Sequence, residues 1–187
     1  MGAARAAAPF HVHSQGQVMN FGCRHADAMG CCWPKPPVLT CRLLPLTQVA
    51  VGILATDATT LFNAIGLAVA GPRGPRAEEV ALRLARRHAR KSVALGHGIA
   101  LPRAAVPGLR CSTAVFMRMA TPLAMNVPDG EPVIDVLCLL VPLPGFSSDW
   151  ELLAGLIQQL GDLSLRGALR QAGNVESIHR LLTDSRQ

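Results

Sequence analysis

Hydrophobic and polar positions alternate in blocks that change period repeatedly after residue 41, and the blocks predict the elements. Val49 to Leu54 is a short apolar segment. Thr56-Asp57 follows as an N-cap signal for a helix through about Ala70, because a short side-chain oxygen accepts from the free N–H groups of the first turn. Gly71-Pro72-Arg73-Gly74-Pro75 breaks the chain. A second helix is predicted over Arg76 to Lys91, with Val80, Leu82 and Leu84 apolar. Glu78 and Glu79 open that helix, and Arg86, Arg87, Arg90 and Lys91 close it, which suits the macrodipole and reads as a solvated basic end. Val93 to Leu101 is a glycine-bearing loop entering a strand. Ser112 to Met119 and Val133 to Val141 read as two further strands, and the turn signal Pro128-Asp129-Gly130 joins them as a hairpin-like pair. Ser148-Asp149-Trp150-Glu151 is a capping box with Ser148 as N-cap. The helix it starts continues through Leu152, Leu153, Leu156, Ile157 and Leu160. Leu163 to Gln171 and Val175 to Leu182 predict two more short helices. Interleaved helices and strands make this an α/β domain of about 145 residues.

Residues 1–40 differ in kind. They show no sustained period and end in Pro34-Lys35-Pro36-Pro37. Such a stretch buries too little apolar surface to offset its ordering entropy, so a disordered tail is expected. A start at Met19 or Met29 is the other reading. The domain is therefore placed at residues 41–187.

Composition narrows the functional classes. Half of the 187 residues are hydrophobic, which supplies a sizeable core. Tyr is absent, Phe is only five and Trp two, so the aromatic platforms that single-strand and RNA binders place under bases are scarce. The net charge is +6, of which residues 1–40 hold +2, and sixteen of the eighteen basic residues are Arg. No run reaches the roughly 18 apolar residues of a spanning helix. No apolar h-region follows the N-terminus, and Ala6 replaces the hydroxyl residue of a myristoylation motif. A cytoplasmic protein without membrane contact is expected. Six cysteines, at 23, 31, 32, 41, 111 and 138, are then expected as thiols. Cys111 and Cys138 lie in apolar runs and read as small core residues. The other four cluster with His11, His13 and His25, but their spacing lacks paired zinc knuckles, so no metal is assigned.

One stretch carries a resemblance. Ala94-Leu95-Gly96-His97-Gly98-Ile99-Ala100-Leu101-Pro102-Arg103 resembles the glycine loop and strand of type 2 phosphotransferase-system IIA domains, the fructose, mannitol and nitrogen-regulatory family. Pro128-Asp129-Gly130-Glu131-Pro132-Val133, followed by Leu137-Cys138-Leu139-Leu140-Val141-Pro142, is similar to the family's strand pair. Leu152 to Asp162 resembles a family helix. The likeness runs from about Leu43 to Leu182, in the family's order. It implies a single domain with a mixed β-sheet flanked by helices, and phosphoryl transfer through a histidine after the Ile/Leu-Pro. An imidazole suits that role because its neutral ring nitrogen carries a lone pair near neutral pH.

In this sequence the corresponding position is Arg103. A guanidinium stays protonated and offers no lone pair to phosphorus. The Gly-Arg that follows in the family is Ala104-Ala105, and the second family histidine aligns with Asp149. The resemblance thus implies a degenerate site, with Arg103 and Asp149 facing each other as an ion pair. His97 is the fallback phosphoacceptor, set against an ordinary exposed loop histidine. His88 and His179 read as surface residues. The expected binding residues are Gly96, His97, Gly98, Arg103 and Asp149, with no cofactor. A non-phosphorylatable regulatory protein is the leading expectation. Its partners would be proteins of a phosphotransferase-type system, with an anion or a partner's carboxylate at Arg103. The alternatives are a phosphocarrier using His97 and, last, nucleic-acid binding through the basic helix 76–91.

Overall fold

A computed structural model describes residues 42–72, 74–90, 94–125, 129–144 and 148–184, with only the backbone of Ser148 and Asp149. The first forty residues, and with them six of the candidate zinc ligands, lie outside the described residues, as does Cys41.

A six-stranded mixed sheet carries the fold. Its strands are β1 (Val49–Ile53), β2 (Ala94–Gly96), β3 (Ile99–Ala100), β4 (Arg103–Val106), β5 (Thr113–Leu123) and β6 (Val133–Pro142). The spatial order is β1-β5-β6-β3-β2, with β4 continuing beside β6 beyond β3. β5 and β6 pair antiparallel, as the turn signal predicts, whereas β1 runs parallel to β5, and β3 and β4 run parallel to β6. The helices are α1 (Ala58–Val69), α2 (Ala77–His88), α3 (Ser148–Gly161), α4 (Leu163–Gln171) and α5 (Val175–Thr183).

Period-two alternation divides β5 and β6 between two cores. Val115, Met117, Val136, Cys138 and Leu140 face Leu61, Phe62, Ile65, Val80 and Leu84 of α1 and α2. Ala114, Phe116, Leu137 and Leu139 face Leu156, Leu160, Leu165, Leu169, Ile178 and Leu182 of the last three helices. A strand covered on both faces must be apolar on both, which explains the nearly unbroken run of β6. Its exception, Asp135, is 5% exposed and meets Arg118 directly across the antiparallel pair. Burial pushes the Cys138 thiol far above its usual range, so it stays protonated in the core.

Local signals set the helix starts. Asp57 accepts from the Thr60 N–H at 2.7 Å and caps α1; that bond holds its carboxyl below the ordinary aspartate value. Asp162 and Asn174 cap α4 and α5 in the same way. α1 and α2 approach closely at Gly66, where a Cβ would press on the Ala77 carbonyl.

Several expectations need correction. α2 ends at His88 rather than Lys91, and Leu82 is 45% exposed. β4, after Pro102, carries little apolar pattern and was not predicted. α3 begins at Ser148 itself, whose side chain lies outside the described residues, so the capping box is not described. Cys111 is exposed rather than core. His88 is half-buried, edge-on to Phe62 with centroids 5.6 Å apart, and its Nδ1 is buried without a partner. His179 is half-buried too, its Nε2 2.9 Å from the Leu44 carbonyl oxygen. Neither is a surface histidine.

Candidate functional site

Arg103 opens β4, opposite Leu139 of β6. β6 ends at Pro142, and the first turn of α3 brings Trp150 to the start of β4. The Arg103 guanidinium carbon lies 4.9 Å from the Trp150 ring centroid. The ring is 67% exposed, so this cation–π contact is worth about 0.5–1 kcal/mol. The last turn of α2 contributes Arg87. Partial burial of the Arg103 guanidinium, and then the positive charge of Arg87, pull its pKa below the ordinary arginine value. The described ion pairs are Arg76–Glu78, Arg83–Glu79 and Arg118–Asp135, so among the described residues neither Arg87 nor Arg103 is paired. The Asp149 carboxylate, the expected partner of Arg103, lies outside the described residues.

The Arg103 guanidinium against an exposed indole, within reach of the Arg87 charge, forms a cationic, partly dry surface. Such a surface takes a carboxylate or phosphate through forked hydrogen bonds. Among the described residues it supplies no nucleophile.

Arg87 and Trp150 are the residues that sequence reasoning missed. Arg87 follows Val80 by seven positions and Leu84 by three, which puts it on the buried stripe of α2 rather than on the solvated side. That spacing was the available signal. Arg86 and Arg90 are exposed, as expected for the helix end.

Gly96, His97 and Gly98 stand apart from Arg103. They form the turn between β2 and β3, with φ values of 84°, 54° and 75°. Three consecutive left-handed residues explain the glycines on either side of His97. The His97 N–H donates to Asp129 Oδ2 at 2.5 Å, and the Glu131 N–H donates to Oδ1 at 3.2 Å. The first of these bonds is the main cause holding the Asp129 carboxyl below its ordinary value. A Cβ at Gly96 would lie 2.9 Å from Asp129 Oδ2, so the tie also requires glycine there. Along β6 the partners of Ile99 and Arg103 are Asp135 and Leu139. Four residues of strand separate them by about 13 Å, at about 3.3 Å per residue. Four of the expected binding residues therefore fall in two places, Gly96, His97 and Gly98 in one and Arg103 in the other, while the Asp149 side chain lies outside the described residues.

The His97 ring is exposed, and one ligand atom each from His97, Asp129 and Glu131 lie within 4.8 Å of one another. These carboxylates could orient the ring. They also make its surroundings negative, which opposes an approaching phosphoryl group. Both oxygens of Asp129 are already committed to backbone N–H groups, so the trio is a poor metal cage.

Comparison with known proteins agrees with this architecture. No family model matches the chain. It is 35% identical over 86 residues to a nitrogen regulatory protein homolog of Haemophilus influenzae, spanning 45% of this chain and 52% of that protein. The chain thus spans about half the length of the curated relatives it matches. Nitrogen regulatory protein IIA-Ntr from Neisseria meningitidis superposes with a TM-score of 0.71 at 27% identity, over 76% of this chain and 97% of that one. The chain has the fold of the phosphotransferase-system IIA domains. A further IIA-fold likeness is to mannitol IIA of Escherichia coli in its complex with phosphorylated IIB, with a TM-score of 0.59 and 16% identity over 73% of this chain and 94% of that one. Among the described residues no helix is long and apolar enough to cross a membrane.

Proposed function

We propose that this IIA-fold chain is a nitrogen-regulatory-like protein that does not carry a phosphoryl group and acts by binding a protein partner in the cytoplasm. Its working domain is residues 41–187. The observation that carries this reading is Arg103, its guanidinium against Trp150 and beside Arg87, where the family resemblance expects the acceptor imidazole. A protonated guanidinium cannot attack phosphorus. It can hold an anionic group of a partner, and the charge of Arg87, unpaired among the described residues, strengthens that preference. The mannitol IIA neighbour was solved with a protein partner; by analogy, this fold would present Arg103, Arg87 and Trp150 to a partner of a phosphotransferase-type system.

A second reading keeps phosphoryl transfer and moves it to His97, favoured by the two carboxylates beside its ring. Incubation with phosphoenolpyruvate, labelled in the phosphoryl group, and the upstream phosphocarriers separates the two. The regulatory reading gives no acid-labile label. Label that appears in the native chain and disappears in His97→Ala would establish the second. Binding of nucleic acid through α2 would show as an affinity that falls steeply with salt; Arg87 facing Arg103 removes one charge from that helix's free surface.

A further inference from the structure

A pocket of about 170 Å³ lies between the β2–β3 turn, the strands β5 and β6, and α4. Its walls include Arg118, Arg166, Arg170 and Asp135, with Gly98 and Ile134 beside them. Arg103, Arg87 and Trp150 take no part in it. His97 also lines the pocket, but the carboxylates that make its surroundings negative, Asp129 and Glu131, are not part of that lining, so three guanidinium groups against the one carboxylate of Asp135 leave an excess of positive charge.

The carboxylate is already committed. Asp135 accepts from Arg118 Nε at 2.7 Å and from Nη2 at 2.9 Å. Arg118 also donates to the carbonyls of Ala172 and Leu169. Four of its five N–H groups are thereby used, and the pair forms a fixed wall rather than a ligand. Arg166 differs. It is only 9% exposed, and its Nε donates to the Leu160 carbonyl. Among the described residues neither of its terminal nitrogens has a partner. Arg170 is exposed and spends one long bond, 3.4 Å, on the His97 carbonyl. The terminal nitrogens of Arg166 keep some contact with solvent, and an anion there would supply the counter-charge that this mostly buried guanidinium lacks among the described residues.

We infer that this pocket is a binding site for a small oxyanion, held by the forks of Arg166 and Arg170. The planar guanidinium fork matches phosphate and carboxylate oxygens two at a time. Pockets for drug-sized ligands measure about 300–1,000 Å³, so this smaller one selects a phosphate or a short carboxylate. Bound there, the anion would tie α4 to the β2–β3 turn, because Arg170 already reaches that turn. The site stands independently of the partner-binding role proposed for Arg103.

Calorimetric titration of the full chain with inorganic phosphate and, separately, with succinate, at constant ionic strength, tests the site and distinguishes the two oxyanion sources. Saturable binding of either is expected. Arg170→Ser, an exposed substitution that leaves the core untouched, should weaken it at least tenfold. Arg166→Gln should weaken it further, and Arg103→Gln should change it less than twofold. Absence of saturable binding to both anions overturns the inference. So does binding that survives Arg170→Ser but is lost in Arg103→Gln, which would place the anion in the other cleft.

Discussion

Arg118 and Asp135 show how one polar pair can sit inside a core built for apolar side chains. The pair is bidentate, and the rest of the Arg118 fork ends on carbonyls near the C-terminus of α4. Removing one partner strands the other charge, so Asp135→Ala should lower unfolding free energy by about 3–5 kcal/mol, read by urea denaturation. Replacing both with apolar residues should cost much less. Asp129 works at the opposite extreme, fully exposed, as an acceptor for the His97 and Glu131 N–H groups. Because folding depresses its pKa, its contribution is present above the unfolded value and is lost as pH falls through the folded one. The amide resonance of His97 should titrate in that acidic window, and Asp129→Asn should flatten the titration. His88, His179 and Arg87 were less legible as residues. Each sits where a helix turns a polar side chain inward, and the composition of the surrounding sequence does not reveal a turn angle.

At the scale of elements, the pattern spoke clearly wherever period and caps agreed. α1, α4 and α5 begin at Asp57, Asp162 and Asn174, each accepting from a first-turn N–H. Asn174→Ala should accordingly destabilise the domain by about 1 kcal/mol in the same denaturation experiment. β5 and β6 were legible from their apolar runs. β4 was not, because four residues holding Arg103 and two alanines do not alternate, and the strand exists through its register with Leu139 to Pro142. The end of α2 was overrun because its basic residues fit a helix as well as a loop. Packing between elements was also silent in the sequence. Gly66 looks like an unfavourable helix residue until α2 is placed against it. Gly66→Ala should therefore lower stability by about 1–3 kcal/mol, the cost of overpacking, despite raising helix propensity.

For the whole molecule, fold and function part company. The sheet order, the two helical layers and the superposition on IIA domains describe a shared scaffold. What a scaffold does is decided by its site. At the end of the strand where the family resemblance calls for an imidazole, this chain puts a guanidinium, an indole and a second guanidinium. Arg103 was readable from the resemblance alone. Its neighbours were not, since Trp150 and Arg87 come from helices forty-seven and sixteen positions away in sequence. On the function proposed above, that surface holds an anion rather than passing one on. The most direct check is the intact mass of the native full-length chain after exposure to phosphoenolpyruvate and the upstream phosphocarriers. The account predicts an unchanged mass, while a carrier protein retaining its histidine gains a phosphoryl group in the same tube. A phosphoryl increment on the native chain, reversible on transfer back to the carrier, would contradict it.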